Sequence, residues 1–153
     1  MIRGLSFRVP QATTDTLWQI LGCLDVEKYR WYNIPYQEEA YLGSMGSGEP
    51  LFGSEPLDEN SFSRLIRQDH YIIFTKLQAY LGDGKFFNIS TYEEFDRSDC
   101  QLLLLIFDCE FVEIYVKDAV AVKALYENAQ QHRFLQIEYI TNDNDCRTGM
   151  DIL

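Results

Sequence analysis

Hydrophobic positions in the first 25 residues follow two different periods. Residues 2–9 alternate around Leu5, Phe7 and Val9, which predicts a strand that ends at Pro10. Apolar residues then recur at positions 17, 20, 21 and 24, the spacing of a single helical face. The chain therefore opens with a strand and a helix, and Thr13 or Thr14 is the predicted helix cap.

The middle of the chain combines short strands with a loop. KYRWYNI and EEAYLG are rich in strand-forming residues and predict two short strands or a hairpin. Residues 43–58 are rich in Gly, Ser and Pro and predict a flexible loop. A short helix that starts at Asn60 or Ser61 and a long strand over HYIIFTKLQAY follow it.

The second half contains the most apolar segment, LLLLIF at 102–107, which predicts a central strand covered on both faces. A three-residue link joins it to FVEIYV, and such a short link favours an antiparallel hairpin. Ser90 and Glu93 have the spacing of a capping box for a brief helix, and Asp118 is placed to cap a longer one. FLQIEYI predicts the last strand, and residues 141–153 form a polar tail.

Hairpins interspersed with helices, without a strict strand–helix–strand alternation, are typical of an α+β protein. We therefore predict a single α+β domain over 1–153, with a mixed, mostly antiparallel sheet and about four short helices. A chain of this length buries enough surface to fold without disulfides or metals.

The net charge of −11 changes the expected class of partner. An acidic surface repels nucleic-acid phosphates and anionic lipids, so we expect neither nucleic-acid nor membrane binding. The acidity is concentrated in the second and third thirds of the chain. A solubilising surface accounts for it, and so does a face that attracts a basic protein.

Candidate chemistry is sparse. The four cysteines and two histidines are dispersed, and the acidic stretch TNDNDCR does not fit a calcium loop, so we predict no metal site and no cofactor. GSMGSGEP lacks the G-K-[ST] ending of a phosphate-binding loop, and GDGK at 82–85 is too short for such a loop and predicts a turn. MIRGLSFRVPQ has no apolar core typical of a secretion signal, so we expect a cytoplasmic protein with reduced thiols.

Five aromatic residues within thirteen positions are the strongest candidate for a binding surface: Tyr29, Trp31, Tyr32, Tyr36 and Tyr41. In an extended strand the first two share one face and Tyr32 lies on the other. Tyr and Trp are enriched at binding hot spots, although both faces of such a strand can also be packed in a core.

Several segments resemble one family over nearly the whole chain: YRWY, EPLF, HYIIF, TYEEFDRSDCQLLLLIFDCEFVEIYVKD and LYENAQQHRFLQIEYITNDNDCRT. The family is a bacillus-type group of uncharacterised proteins known as domain of unknown function 2691. The resemblance implies a single-domain, bacterial, cytoplasmic protein. It implies no activity and no site residues.

We therefore expect a non-catalytic binding or regulatory module with an acidic surface for a protein partner. An immunity-type or antitoxin-like inhibitor of a basic enzyme is one concrete form. Two alternatives stay open: a small hydrolase or transferase whose carboxylates meet a histidine or cysteine, and a small-ligand sensor that closes its 43–58 loop. Catalytic residues are not identifiable from the sequence.

Overall fold

In the computed structural model, which describes residues 1–43, 48–53 and 57–152, seven strands form one sheet. The strands are β1 (Ile2–Arg8), β2 (Arg30–Asn33), β3 (Glu39–Leu42), β4 (His70–Tyr80), β5 (Cys100–Phe107), β6 (Phe111–Val116) and β7 (Leu135–Thr141). Their order is β2-β4-β5-β6-β1-β7, and each of the pairings found in the described residues is antiparallel. The predicted α+β class with a mostly antiparallel sheet is confirmed.

Strand β4 is long enough to pair with two short strands end to end. Its C-terminal half pairs with β2 and its N-terminal half pairs with β3. The two short strands therefore lie along the same edge of β4, and they do not form a hairpin with each other. A 3₁₀ turn at Pro35–Gln37 connects them.

The apolar segment LLLLIF lies inside β5, between β4 and β6, with both of its faces covered. The predicted hairpin to β6 is confirmed, with Phe107 opposite Phe111. Asp108 and Cys109 both have positive φ, 51° and 66°. A turn with two left-handed residues matches the right-handed twist of antiparallel strands and closes the hairpin tightly.

Four α-helices lie among the described residues: α1 (Thr16–Leu21), α2 (Glu59–Arg67), α3 (Tyr92–Arg97) and α4 (Ala119–Gln131). Helices α1, α2 and α4 cover one side of the sheet, which we call the first face, over the larger apolar core. On the opposite side, the second face, α3 and segments without regular structure cover a smaller core around Tyr80, Phe95 and Tyr115.

The starts of α1, α2 and α3 differ from the predicted ones by one to two residues. Helix α1 begins after Asp15, and α2 begins after Asp58, whose carboxylate accepts a hydrogen bond from Ser61 N. The cap of α3 is Thr91, one residue after the predicted Ser90, because its hydroxyl accepts from the backbone N–H of Glu94. Asp118 caps α4 as predicted.

Part of the predicted flexible loop over 43–58 lies outside the described residues. Within the described part, Leu51 and Phe52 are buried in the larger core. The predicted polar tail over 141–153 includes the end of β7 and a buried apolar residue, Met150.

Candidate functional site

The second face of the sheet contains a lysine with no exposed side-chain surface, Lys76 of β4. Its ammonium group donates to Asn88 Oδ1 (2.7 Å), to Asp151 Oδ1 (3.0 Å) and to the carbonyl of Ile89. Burial lowers the pKa of Lys76, and its contact with Asp151 acts in the opposite direction. Each of the three N–H donors has an acceptor, so these partners compensate the buried positive charge of Lys76.

A second buried polar side chain of β4, Gln78, holds the same loop. Its Nε2 donates to the carbonyl of Phe87 (2.9 Å), and its Oε1 accepts from the backbone N–H of Ile89 (3.1 Å). Gln78 and Lys76 lie two positions apart on one face of the strand, so both point at residues 87–89. These bonds fix a loop that has no regular secondary structure.

Residues 145–152, which we call the C-terminal segment, cross the second face. Arg147 pairs with Glu113 of β6 (2.6 Å), and Asp151 pairs with Lys76. The segment then contacts the Pro35–Gln37 turn, where Gln37 donates to Asp151 Oδ1 (2.7 Å) and accepts from Ile152 N (2.7 Å). The C-terminal segment therefore joins β6, β4 and the turn between β2 and β3.

Beside this network lies an apolar depression of about 260 Å³, which we call the aromatic groove. Its lining residues are Tyr32, Asn33, Ile34, Pro35, Tyr36, Phe86 and Asn88. Phe86 stacks on Tyr32 with ring centroids 4.4 Å apart, and Asn88 donates to the Tyr36 hydroxyl. Tyr36 is 68% exposed and Phe86 38% exposed, so two rings of the groove face solvent.

The structure separates the five predicted aromatic residues into three places. Tyr29 and Trp31 are buried in the first-face core, where Trp31 stacks on Phe62 at 4.3 Å. Tyr32 and Tyr36 line the aromatic groove. Tyr41 lies on β3, where its hydroxyl donates to Glu39 Oε1.

Next to the groove, Glu38 occupies a partly buried position on the other side of the Pro35–Gln37 turn. Burial raises its pKa from 4.5 to about 7, although hydrogen bonds from Asn33 and Thr75 partly oppose this shift. Its two carboxylate oxygens accept from Asn33 Nδ2 (3.1 Å) and Thr75 Oγ1 (3.2 Å). Glu38 thus links the end of β2 to β4.

A wider hollow of about 560 Å³ lies over β1, β6 and β7. Two of its three charged lining residues are paired with neighbours outside it: Arg8 with Glu110 (2.6 Å) and Glu113 with Arg147 (2.6 Å). A ligand would have to compete with these ion pairs. The aromatic groove has the more apolar lining and the more exposed rings, so it is the better candidate for a binding site.

The two histidines and the two central cysteines make separate contacts. His70 is buried; its Nε2 accepts from Leu17 N (3.0 Å) and its Nδ1 lies 2.8 Å from the Gln68 carbonyl, which is the pattern of a neutral ring. Cys100 lies in the second-face core, where burial raises its pKa to about 12. Cys109 contacts the hydroxyl of Tyr71. Among the described residues, no hydrogen bond joins a cysteine to a histidine, so these contacts do not assemble an activated thiol.

The described residues contain neither a metal-binding cluster nor a membrane-spanning helix. No three side chains of His, Cys, Asp or Glu lie close enough together to hold a metal ion in this part of the chain. No helix within these ranges is both long enough and apolar enough to cross a membrane.

Lys76, Phe86, Asn88 and Asp151 are among the residues of this site that sequence reasoning missed. Lys76 left a signal, because it is the one Lys, Arg, Asp or Glu in a strand of eleven residues that is rich in apolar and aromatic side chains. Phe86 left a weaker one, as half of an aromatic pair that follows a Gly-Asp-Gly-Lys turn. Nothing local distinguishes Asp151, whose partner is 75 residues away in the chain.

Residues 2–151 match the family model described as protein of unknown function, DUF2691. The chain belongs to this family. It is also similar to the uncharacterized protein YncE of Bacillus subtilis (strain 168), with 36% identity over 154 residues that cover 99% of this chain and all of that protein. No solved structure matches the chain. Family membership assigns no activity, so the functional proposal rests on the geometry of the site.

Proposed function

We propose that this protein is a non-catalytic, cytoplasmic binding module that holds a basic protein partner through the aromatic groove. The observation that carries the proposal is an exposed pair of aromatic rings on a frame of buried hydrogen bonds. Binding residues held in place before the partner arrives lose little conformational entropy on association.

The size of the groove favours a protein side chain over a whole small molecule. Its volume of about 260 Å³ is below the roughly 300–1,000 Å³ that is typical of ligand pockets. Such a depression accommodates one apolar or aromatic side chain of a partner. Anchor residues seated in small pockets contribute a large share of interface energy.

Exposed rings around the groove enlarge the contact surface. Phe87, 45% exposed, follows Phe86, and Leu81 is exposed at the start of the same loop. Aromatic residues are enriched at the centre of protein interfaces, and amides such as those of Asn33 and Asn88 suit their polar rim. The groove and this loop form a patch of the kind that binds proteins.

The net charge of −11 supports a basic partner. Complementary charge accelerates encounter and excludes acidic competitors, whereas the apolar anchor supplies most of the affinity. An immunity-type or antitoxin-like role, in which an acidic module blocks a basic enzyme, is one form of this proposal.

The test is affinity capture from host lysate with three immobilised proteins: the wild type, Tyr36→Ala and Leu135→Ala. Leu135 is the control because it is also large, apolar and exposed but lies on β7, away from the groove. We expect one basic protein to be retained by the wild type and by Leu135→Ala and released at raised salt. Tyr36→Ala should bind it at least about tenfold more weakly. Equal retention by all three proteins, or no retained protein, would contradict the proposal.

A further inference from the structure

The C-terminal segment is connected to the aromatic groove by two separate routes that start at the same carboxylate. On one route Asp151 contacts Lys76, Lys76 donates to Asn88, and Asn88 donates to the hydroxyl of Tyr36. On the other, Asp151 accepts from Gln37, the residue that follows Tyr36. Both routes end at Tyr36, the most exposed ring of the groove.

The first route fixes one wall of the groove. Lys76 has no exposed side-chain surface, so its ammonium group depends on Asp151 as its anionic partner. Without that carboxylate, two neutral acceptors, Asn88 Oδ1 and the Ile89 carbonyl, would remain for a buried cation. Removal of the Asp151 charge should therefore change how Asn88 is held, and Asn88 orients Tyr36.

The second route fixes the wall of the groove that the Pro35–Gln37 turn forms. Gln37 is buried, and both ends of its amide bond to the C-terminal segment, at Asp151 and at Ile152 N. Tyr36 belongs to the same 3₁₀ turn, so the position of Gln37 sets that of the Tyr36 backbone. The two walls of the groove come from distant parts of the chain, and the C-terminal segment connects them.

We propose that Asp151 is a positioning residue for the binding groove, and that attachment of the C-terminal segment regulates whether the groove can bind. This inference rests on the proposed function, because it assigns a control to the same groove. A change that detaches the C-terminal segment, such as proteolysis or a competing partner, would release both walls together. Attachment and binding are then thermodynamically linked: what favours one favours the other.

The first part of the test is amide hydrogen exchange on the whole protein, with wild type, Asp151→Asn and Asp143→Asn. Asp143 is the matched control, since it is an exposed carboxylate near the same segment and the substitution changes the charge equally. We expect exchange at residues 33–38 and 86–89 to be at least about fivefold faster in Asp151→Asn, with Asp143→Asn like the wild type. Exchange in α4, on the first face, should not change.

A second variant keeps the inference testable if Asp151→Asn does not fold. Gln37→Ala cuts the other route and leaves the Lys76–Asp151 pair in place, so it should accelerate exchange at 33–38 more than at 86–89. Unchanged exchange at the groove in both variants would overturn the inference. So would equal acceleration in α4, because that result indicates global destabilisation without a specific connection.

The second part measures binding of a defined probe, N-acetylphenylalaninamide, by chemical-shift titration of Tyr36, Phe86 and Asn88. We expect saturable shifts in the wild type and at least about threefold weaker binding in Asp151→Asn. Equal binding by both proteins would overturn the regulatory inference and leave the groove as a binding site. Absence of saturable shifts in the wild type would contradict binding at the groove. The exchange experiment would still test whether the C-terminal segment is connected to the groove.

Discussion

The two faces of the sheet are covered in different ways. Three helices pack on the first face, where the large buried side chains are apolar and Trp31 stacks on Phe62. A short helix, a loop and the C-terminal segment cover the second face, where Lys76 and Gln78 are buried among Tyr80, Phe95 and Tyr115. The first face is held mainly by packing, with a few hydrogen bonds from buried neutral side chains such as Trp31 and Asn128 to backbone carbonyls. The second face combines packing with the directed hydrogen bonds of a buried ammonium group and a buried amide.

Because of this difference, one face contributes mainly to stability and the other mainly to the geometry of the site. Apolar burial is non-directional and stabilises any arrangement that excludes water. A buried ammonium group accepts only the arrangement that supplies its partners, because an unpaired charge is costly. The face that positions the groove is therefore the face that specifies loop conformation through polar side chains, and the opposite face supplies most of the folding energy.

The largest expected effect is on the first face. Trp31→Ala removes a fully buried indole, its stack on Phe62 and its hydrogen bond to the Val26 carbonyl. We expect a loss of about 3–5 kcal/mol in the free energy of unfolding, measured by urea denaturation. Trp31→Phe keeps a ring in the stack and should lose clearly less. A loss below about 1 kcal/mol for the alanine variant would show that this face is not the main source of stability.

The next effect is on the second face. Burial acts to raise the pKa of Asp151, but hydrogen bonds from Gln37 and Lys76 outweigh it and hold the pKa below its ordinary value. Asp151→Ala leaves Lys76 buried without an anion and should destabilise by about 2–3 kcal/mol, since Asp151 is itself 37% exposed. The double variant Lys76→Met/Asp151→Ala should recover part of that loss. Equal stability of Asp151→Ala and Asp143→Ala would refute the compensating role of Asp151.

A smaller, pH-dependent effect is expected at Glu38, which follows the turn between β2 and β3. Because its pKa rises from 4.5 to about 7 on folding, the folded protein holds a proton that the unfolded chain has released. Stability from this group is complete below pH 4.5 and decreases as pH rises to 7. Glu38→Gln removes the dependence. It should stabilise the protein by about 1 kcal/mol at pH 8, with solvent screening taken into account, and by little at pH 4.5.

Thermal unfolding of wild type and Glu38→Gln across pH 4.5–8 measures this difference, and Glu39→Gln on the adjacent residue serves as the control. A constant difference across that range would mean that folding does not shift the pKa of Glu38.

The smallest effect on stability should come from Tyr36→Ala. Its ring is mostly exposed, so we expect a change within about 0.5 kcal/mol in the free energy of unfolding. Partner binding should nevertheless fall strongly. That result would show that Tyr36 contributes to binding and not to stability. If Tyr36→Ala is as destabilising as Trp31→Ala, Tyr36 is part of the core and not of a binding surface.

The local pattern of apolar and polar residues was sufficient to predict the central strand and the two faces of β2. The uninterrupted apolar run at 102–107 indicated a central strand, and the alternation of Tyr29, Trp31 and Tyr32 correctly placed Tyr32 opposite the other two. The starts of α1, α2 and α3 were off by a residue or two because several neighbouring Ser, Thr and Asp residues are all suitable caps.

The site was predictable only in part. Tyr32 and Tyr36 were identified as aromatic candidates, whereas burial of Tyr29 and Trp31 depends on which strand face meets the helices. The interactions of Asp151 depend on how the C-terminal segment crosses the sheet, and no local signal encodes a contact with Lys76 75 residues away. Sequence pattern indicates burial along one element, but pairing of polar groups across the sheet requires the tertiary arrangement.

Photo-crosslinking from position 36 in the host is the most direct test of the central claim, that the aromatic groove binds a basic protein. Tyr36→p-benzoylphenylalanine places the reactive ring in the groove, and Leu135→p-benzoylphenylalanine is the matched exposed control on β7. We predict one adduct with a basic protein at position 36, absent at position 135 and reduced at raised salt, where charge attraction is screened. No adduct at position 36, or the same set of adducts at both positions, would contradict the account.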